Sequence, residues 1–169
     1  MKIIFLDVDG VLNSNDRDEV FHGMIGIEDE KVHRLSEIVT KTGAEIVLSS
    51  SWRIDWERVE SKQDLPLMGR YLVEKLEKYN LKILSKTDSI NMYQRGVEIK
   101  TWIQNAEADG IDIESFCIID DELFDYAEEG LTNHLVKTSF YDSPGGLQDT
   151  HVAQSIKILN NVKQTKLVD

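Results

Sequence analysis

The sequence predicts an α/β fold: a single Rossmann-like open parallel sheet of about five strands with helices on both faces. Three observations carry this expectation. Short apolar runs recur at residues 3–8, 44–48, 81–84, 116–119 and 134–136. Segments with helical spacing separate most of them, and acidic or hydroxyl residues follow directly on the first, second and fourth runs.

The three middle runs are rich in Ile, Val and Leu without clean alternation, as strands covered on both faces should be. Residues 27–41 place Val32, Leu35, Ile38 and Val39 on one helical stripe, and Gly43 suits a C-terminal cap. Leu72, Val73 and Leu76 repeat the pattern within 67–79, and Ile99, Trp102 and Ile103 within 97–106. Ile156 and Leu159 mark a last helix over 152–162. Strands alternating with helices imply right-handed crossovers and parallel pairing. Ligands of such sheets bind beyond the carboxyl ends of the strands, so unusual polar residues should cluster there.

They do. The first run ends in Asp7-Val8-Asp9-Gly10, the second in Ser49-Ser50-Ser51-Trp52-Arg53, and the fourth in Asp120-Asp121.

At 169 residues, 41% of them hydrophobic and 30% charged, the chain can bury one sizeable core, and 1–169 reads as a single domain. No linker, low-complexity run or solenoid repeat interrupts it. The amino terminus runs from Met1-Lys2 into a short strand that ends on carboxylates, unlike a secretory signal, and no apolar run approaches the roughly 20 residues that span a bilayer. The single cysteine fits a reducing compartment. A cytoplasmic protein is the expectation. A net charge of −12 opposes extended nonspecific binding to nucleic acid, but not capture of one phosphorylated end in a locally neutralised pocket.

Asp7, Asp9, Asp120 and Asp121 converging on one sheet edge would repel one another strongly, and a divalent cation removes that cost. Magnesium takes oxygen ligands, usually one or two carboxylates completed by water and phosphate. Asp7 and Asp120 are the expected direct ligands, with Asp121 direct or through water, and Asp9 is included in the expected metal set. One Asp7 oxygen then sits on the metal while the other attacks phosphorus, and Asp9 exchanges the proton with the leaving group and with water. Gly10 permits a tight turn that brings backbone N–H groups near the phosphate. Ser50 is the first choice for a phosphate-binding hydroxyl, with Ser49 and Ser51 as neighbours one residue away. Arg95, before the helix over 97–106, is the expected cation, with Lys100 and Arg53 as rivals.

The segment Asp7-Val8-Asp9-Gly10-Val11-Leu12-Asn13, the serines after 44–48 and Ile118-Ile119-Asp120-Asp121 resemble, in this order, three motifs of the haloacid dehalogenase (HAD) superfamily. Ser50-Ser51-Trp52-Arg53, Arg95-Gly96-Val97-Glu98-Ile99 with Trp102, and the late Gly146-Leu147 are similar to the HAD-like phosphatase domains associated with RNA-repair proteins. The resemblance implies a nucleophile at Asp7, acid and base at Asp9, phosphate binding at Ser50 and magnesium at Asp7, Asp120 and Asp121. It implies phosphate removal from nucleotides or nucleic-acid ends. One departure stands out: the family's third motif supplies a lysine, and here Arg95 is inferred in its place. The stretches 13–27 and 54–66 are long enough only for a flap or a short helix, so the cap domain is minimal or absent.

Other residues carry plainer expectations. Trp52 and Trp102 read as core or shelf residues, Cys117 as a buried hydrophobe, and 142–146 as a turn. Asp125 either faces the site or sits in the first turn of a helix. Two competing classes remain. A phospho-acceptor receiver module would need its acidic pair after the first strand, whereas here it follows the fourth run. A catalytically idle scaffold would have no need of Asp9.

Overall fold

The computed structural model describes residues 1–16, 19–91 and 93–161. Five strands form one parallel sheet: β1 (Lys2–Leu6), β4 (Glu45–Leu48), β5 (Ile83–Lys86), β6 (Ser115–Asp120) and β7 (Leu135–Lys137), in the spatial order β5-β4-β1-β6-β7. β2 (Val20–Phe21) and β3 (Met24–Ile25) pair antiparallel as a separate hairpin. The helices are α1 (Asp29–Thr42), α2 (Leu67–Glu77), α3 (Arg95–Ala108) and α4 (Asp149–Asn160).

Successive side chains of a strand point to opposite faces, and the core divides accordingly. Ile4 and Leu6 of β1 join Ile46, Leu48, Cys117 and Ile119 under α1, α2 and α4. Ile3 and Phe5 join Val47, Phe116 and Ile118 under Ile99 and Ile103 of α3. At roughly 25 cal/mol per Å² of apolar surface, each fully buried Ile or Leu contributes about 2 kcal/mol before entropic costs. Both faces are therefore needed to hold the sheet, and the middle strands are apolar throughout.

The chain winds from β1 outward to β5, then crosses to β6 on the other side of β1. That reversal leaves a crevice between the carboxyl ends of β1 and β6. The ladder continues one residue past the strands through Asp7 N to Ile119 O (3.0 Å), Ser49 N to Leu6 O (2.8 Å) and Thr138 N to Asp120 O (3.0 Å). Asp7, Ser49 and Thr138 therefore stand in register along one edge.

Boundaries differ from expectation where local chemistry decides them. The third strand starts at Ile83, because Leu81 closes α2 with its N–H on Leu76 O (3.1 Å) after a left-handed Asn80. It continues through Lys86, whose ammonium donates to the Arg53 and Trp56 carbonyls (2.9 and 2.6 Å). His134 lies in a 3-10 turn before β7. Gly43 caps α1 as expected, with φ 69° and its N–H on Val39 O. α3 begins at Arg95 because Asp125 accepts from the Gly96 and Val97 amides (2.6 and 3.2 Å), so Asp125 caps another helix and neither faces the site nor opens a helix of its own. Val162, expected in the last helix, lies outside the described residues.

The stretch 13–27 holds the hairpin, turned by His22 and Gly23 at φ 48° and 81°, values that suit a two-residue hairpin loop. The stretch 54–66 holds the end of the 3-10 turn Ser51–Asp55 and a second such turn, Lys62–Asp64. Among the described residues there is no further cap, and no helix is long and apolar enough to cross a membrane.

Candidate active site

β1 and β6 deliver three carboxylates to the crevice. Ligand atoms of Asp7, Asp120 and Asp121 all lie within 4.8 Å of one another. Arg95, the first residue of α3, reaches across to them. Its Nη1 donates to the Ser49 carbonyl (2.8 Å) and to Asp120 Oδ2 (3.1 Å), and stands 3.3 Å from Asp7 Oδ1. The guanidinium carbon lies 4.5 Å from the centre of the Phe124 ring. Burial works against the Arg95 charge, but Asp7 and Asp120 outweigh it and raise its pKa.

The carboxylates remain under-neutralised. Burial, and then Asp120, push Asp7 from the ordinary 3.8 to about 7; Arg95 and the Ser50 hydroxyl offset part of this. Burial, and then Asp7, push Asp121 to about 6. Asp120 is also raised by burial, against Arg95. It accepts from Tyr126 Oη at Oδ2 (2.8 Å) and from Glu122 N at Oδ1 (2.8 Å). Burial and Asp120 together hold the Tyr126 phenol far above its usual pKa, so it stays a donor. Among the described residues, three anions face Arg95 at the floor of the crevice and Lys137 beside Asp121; the raised carboxyl pKa values mark a donor set short of positive charge, and hard carboxylate oxygens suit a divalent cation such as magnesium.

Asp9 is held differently. Its Oδ1 accepts from Asn13 Nδ2 (2.8 Å) and its Oδ2 from the Trp52 indole Nε1 (2.9 Å). Its side chain therefore stands outside the group of three that converges on the candidate metal position, contrary to its inclusion in the expected metal set.

Gly10 has φ +69°, and a methyl there would sit 2.2 Å from Asp121 Cγ, so glycine is what lets the first loop close against the acidic pair. Its amide donates to Asn13 Oδ1 (2.9 Å) and its carbonyl accepts from Thr138 (2.7 Å). That amide is committed within the loop, so the expected phosphate contact does not fall on Gly10 itself.

Of the serines, Ser50 is fully buried, hydrogen-bonds Asp7, and accepts from Trp52 N (3.3 Å) at the start of the 3-10 turn Ser51–Asp55. Ser49 contributes its carbonyl to Arg95, while its hydroxyl is buried without a partner among the described residues. Ser51 is exposed and lines the cavity above.

The two rival cations point elsewhere. Arg53, expected as a phosphate ligand, is buried against Glu98 (2.9 Å) and donates to Thr87 (3.2 Å), because α3 places an anion beneath it. Lys100 pairs with Glu129 (3.0 Å). Neither lines the cavity, whereas Arg95 does.

An open cavity of about 630 Å³ lies above the carboxylates. Asp7, Asp9, Asp121 and Arg95 line it, and Met24 of the hairpin, Met68 of α2 and the aromatic pair Phe140 and Tyr141 complete its walls. Trp52, Asn13, Tyr126 and Phe124 were not anticipated as supports of the site. Only Asn13 carried a local signal, four residues beyond Asp9 in the first loop. Trp102 is a core residue, edge-on to Phe5 (5.5 Å) with its indole on Ser85 (2.9 Å), and Cys117 is buried. The turn at 142–146 is structural, tied to Asp16 through Ser143 and Gly145 N (3.2 and 3.3 Å).

A parallel α/β sheet with an Asp-x-Asp loop after its first strand and an acidic pair at its fourth sheet strand defines a HAD-type phosphatase scaffold. The sequence profile of the HAD domain in Swiss Army Knife RNA repair proteins matches residues 3–152, and the chain belongs to this family. No curated protein matches it.

Proposed function

We propose that this protein is a magnesium-dependent phosphomonoesterase that passes the phosphoryl group through Asp7 and acts on phosphorylated nucleic-acid ends or nucleotides. The observation that carries the reading is the convergence of Asp7, Asp120 and Asp121 under the single guanidinium of Arg95, at the floor of an open cavity.

Asp7, Asp120 and Asp121 would hold the ion. Magnesium there would supply the missing positive charge and polarise a phosphate oxygen. An Asp7 carboxylate oxygen attacks phosphorus as the bond to the leaving oxygen breaks, and Asp9 delivers a proton to that oxygen. Water then attacks the aspartyl phosphate, Asp9 takes the water's proton, and phosphate departs with Asp7 restored. Arg95 stabilises charge on the transferring oxygens, and Ser50 fixes the Asp7 carboxylate.

The cavity also limits the substrate. Among the described residues Arg95 is the only cation that lines it, against Asp7, Asp9, Asp121 and Glu122, so a second phosphate beside the first would meet net negative charge. Met24, Met68, Phe140 and Tyr141 offer an uncharged body, such as a nucleoside, an apolar and aromatic surface. Phosphate release across 3′- and 5′-phosphorylated oligonucleotides, nucleoside mono- and triphosphates and sugar phosphates tests this. Metal-dependent release from monophosphate ends, at rates on the order of tenfold above triphosphates or sugar bisphosphates, is expected. Preference for sugar phosphates would overturn the substrate class, and silence across the panel would overturn the activity.

A second prediction concerns metal and pH. Without metal, Asp7 and Asp121 bind protons more tightly folded than unfolded, so their contribution to stability falls as pH rises from about 4 towards 7. Magnesium competes with those protons, so its stabilising effect must grow over the same window. The rise in melting temperature caused by millimolar magnesium should be several-fold larger at about pH 7.5 than at about pH 5.5. A shift independent of pH would place the ion away from these carboxylates.

A further inference from the structure

We propose that Trp52 is a positioning residue for proton transfer, its indole N–H selecting which lone pair of Asp9 carries the proton; the inference rests on the phosphatase reading above. Both oxygens of Asp9 meet an N–H donor, Asn13 Nδ2 at 2.8 Å and Trp52 Nε1 at 2.9 Å. The orientation of the Asn13 amide is set in turn by its Oδ1, which accepts from Gly10 N at 2.9 Å. An indole N–H donates and never accepts, so it cannot exchange a proton with Asp9 and permanently occupies one lone-pair direction of Oδ2. The proton that Asp9 passes to a leaving oxygen must use a direction left open towards the cavity that both residues line.

The indole is itself fixed. Ser50 caps the 3-10 turn that carries it, accepting from Trp52 N at 3.3 Å. Its ring packs 6.4 Å from Tyr71, whose hydroxyl accepts from Ile27 N at 2.9 Å. Tyr71 stacks on Phe21 of the hairpin, centroids 3.7 Å apart and planes within 3°. A line of three aromatic rings thus runs from the hairpin to the carboxylate. If Trp52 served only to fill space, a phenyl ring would replace most of it and the indole N–H would be incidental.

Leaving-group chemistry separates these roles. An alkoxide must be protonated as it departs, whereas nitrophenolate departs as the anion, so a displaced acid slows the first far more than the second. The full chain, as wild type, Trp52→Phe and Trp52→His, is assayed with magnesium on benzyl phosphate and p-nitrophenyl phosphate. Trp52→Phe is expected to lower the ratio of the benzyl to the nitrophenyl rate by about tenfold or more. Trp52→His, whose Nε2 stands as many bonds from the backbone as the indole nitrogen, should recover part of that ratio. In metal-free protein, the indole N–H resonance absent from Trp52→Phe should move in Asp9→Ala at unchanged fold. Equal slowing of both esters by Trp52→Phe, or an indole resonance unmoved by Asp9→Ala, overturns the assignment while leaving the phosphatase reading intact. A wild type that releases phosphate neither from these esters nor from phosphorylated oligonucleotides removes both.

Discussion

Asp7→Asn is expected to reduce phosphate release by on the order of 10³-fold or more while the fold survives. The amide keeps the shape of the carboxylate, so packing along the β1 edge is undisturbed, but it cannot attack phosphorus at a useful rate. The substitution also removes one of the three crowded anions, so stability without metal should be kept at neutral pH, where burial and Asp120 penalise the ionised carboxylate. Part of the stabilisation by magnesium should disappear with it. Kinetics and thermal melts on the same preparation check both halves. Residual turnover within tenfold of wild type would move the nucleophile elsewhere.

Arg95→Ala has the second largest expected effect, on activity and stability together. Among the described residues the guanidinium is the one cation within ion-pair distance of both Asp7 and Asp120, and its side chain is only 11% exposed. Leaving two buried carboxylates without it should cost roughly 3 kcal/mol at about pH 8 without metal. The cost should shrink at lower pH, where the carboxylates protonate, and when magnesium replaces the lost charge. Loss of a donor to the transferring phosphoryl group should lower kcat/KM by about 100-fold, and Arg95→Lys should recover part of it. Urea unfolding with chelator and with magnesium measures the first effect. Unaltered rate and stability would remove Arg95 from the chemistry of the site and from the stability of its carboxylates.

The fold was legible because the middle strands are covered on both faces. That removes alternation and leaves apolar runs with carboxylates or serines at their ends, so the sequence alone assigns Asp7, the serines and Asp120-Asp121 to one edge. Short or polar elements were not readable in this way. The strands of the hairpin are two residues each, and Lys86 belongs to β5 only because distant carbonyls receive its ammonium.

The site divides along the same line. Arg95 could be found because it opens a helix after a strand, at the same end of the sheet. Arg53 could not be excluded, since the anion that takes it, Glu98, stands 45 positions away in the chain. Trp52 and Asp9 are 43 positions apart, and nothing in either segment announces their contact. Pairings across elements set the direction of a side chain, whereas strand ends set only its neighbourhood.

The most direct test of the central claim is to quench the enzyme in acid during turnover with magnesium and read the mass of the peptide that contains Asp7, using Asp9→Asn to slow release of the intermediate. One added phosphoryl group on Asp7, labile to base and absent from Asp7→Asn, is expected. A peptide that stays unmodified while phosphate is being released would contradict the claim, and would point to direct attack by water.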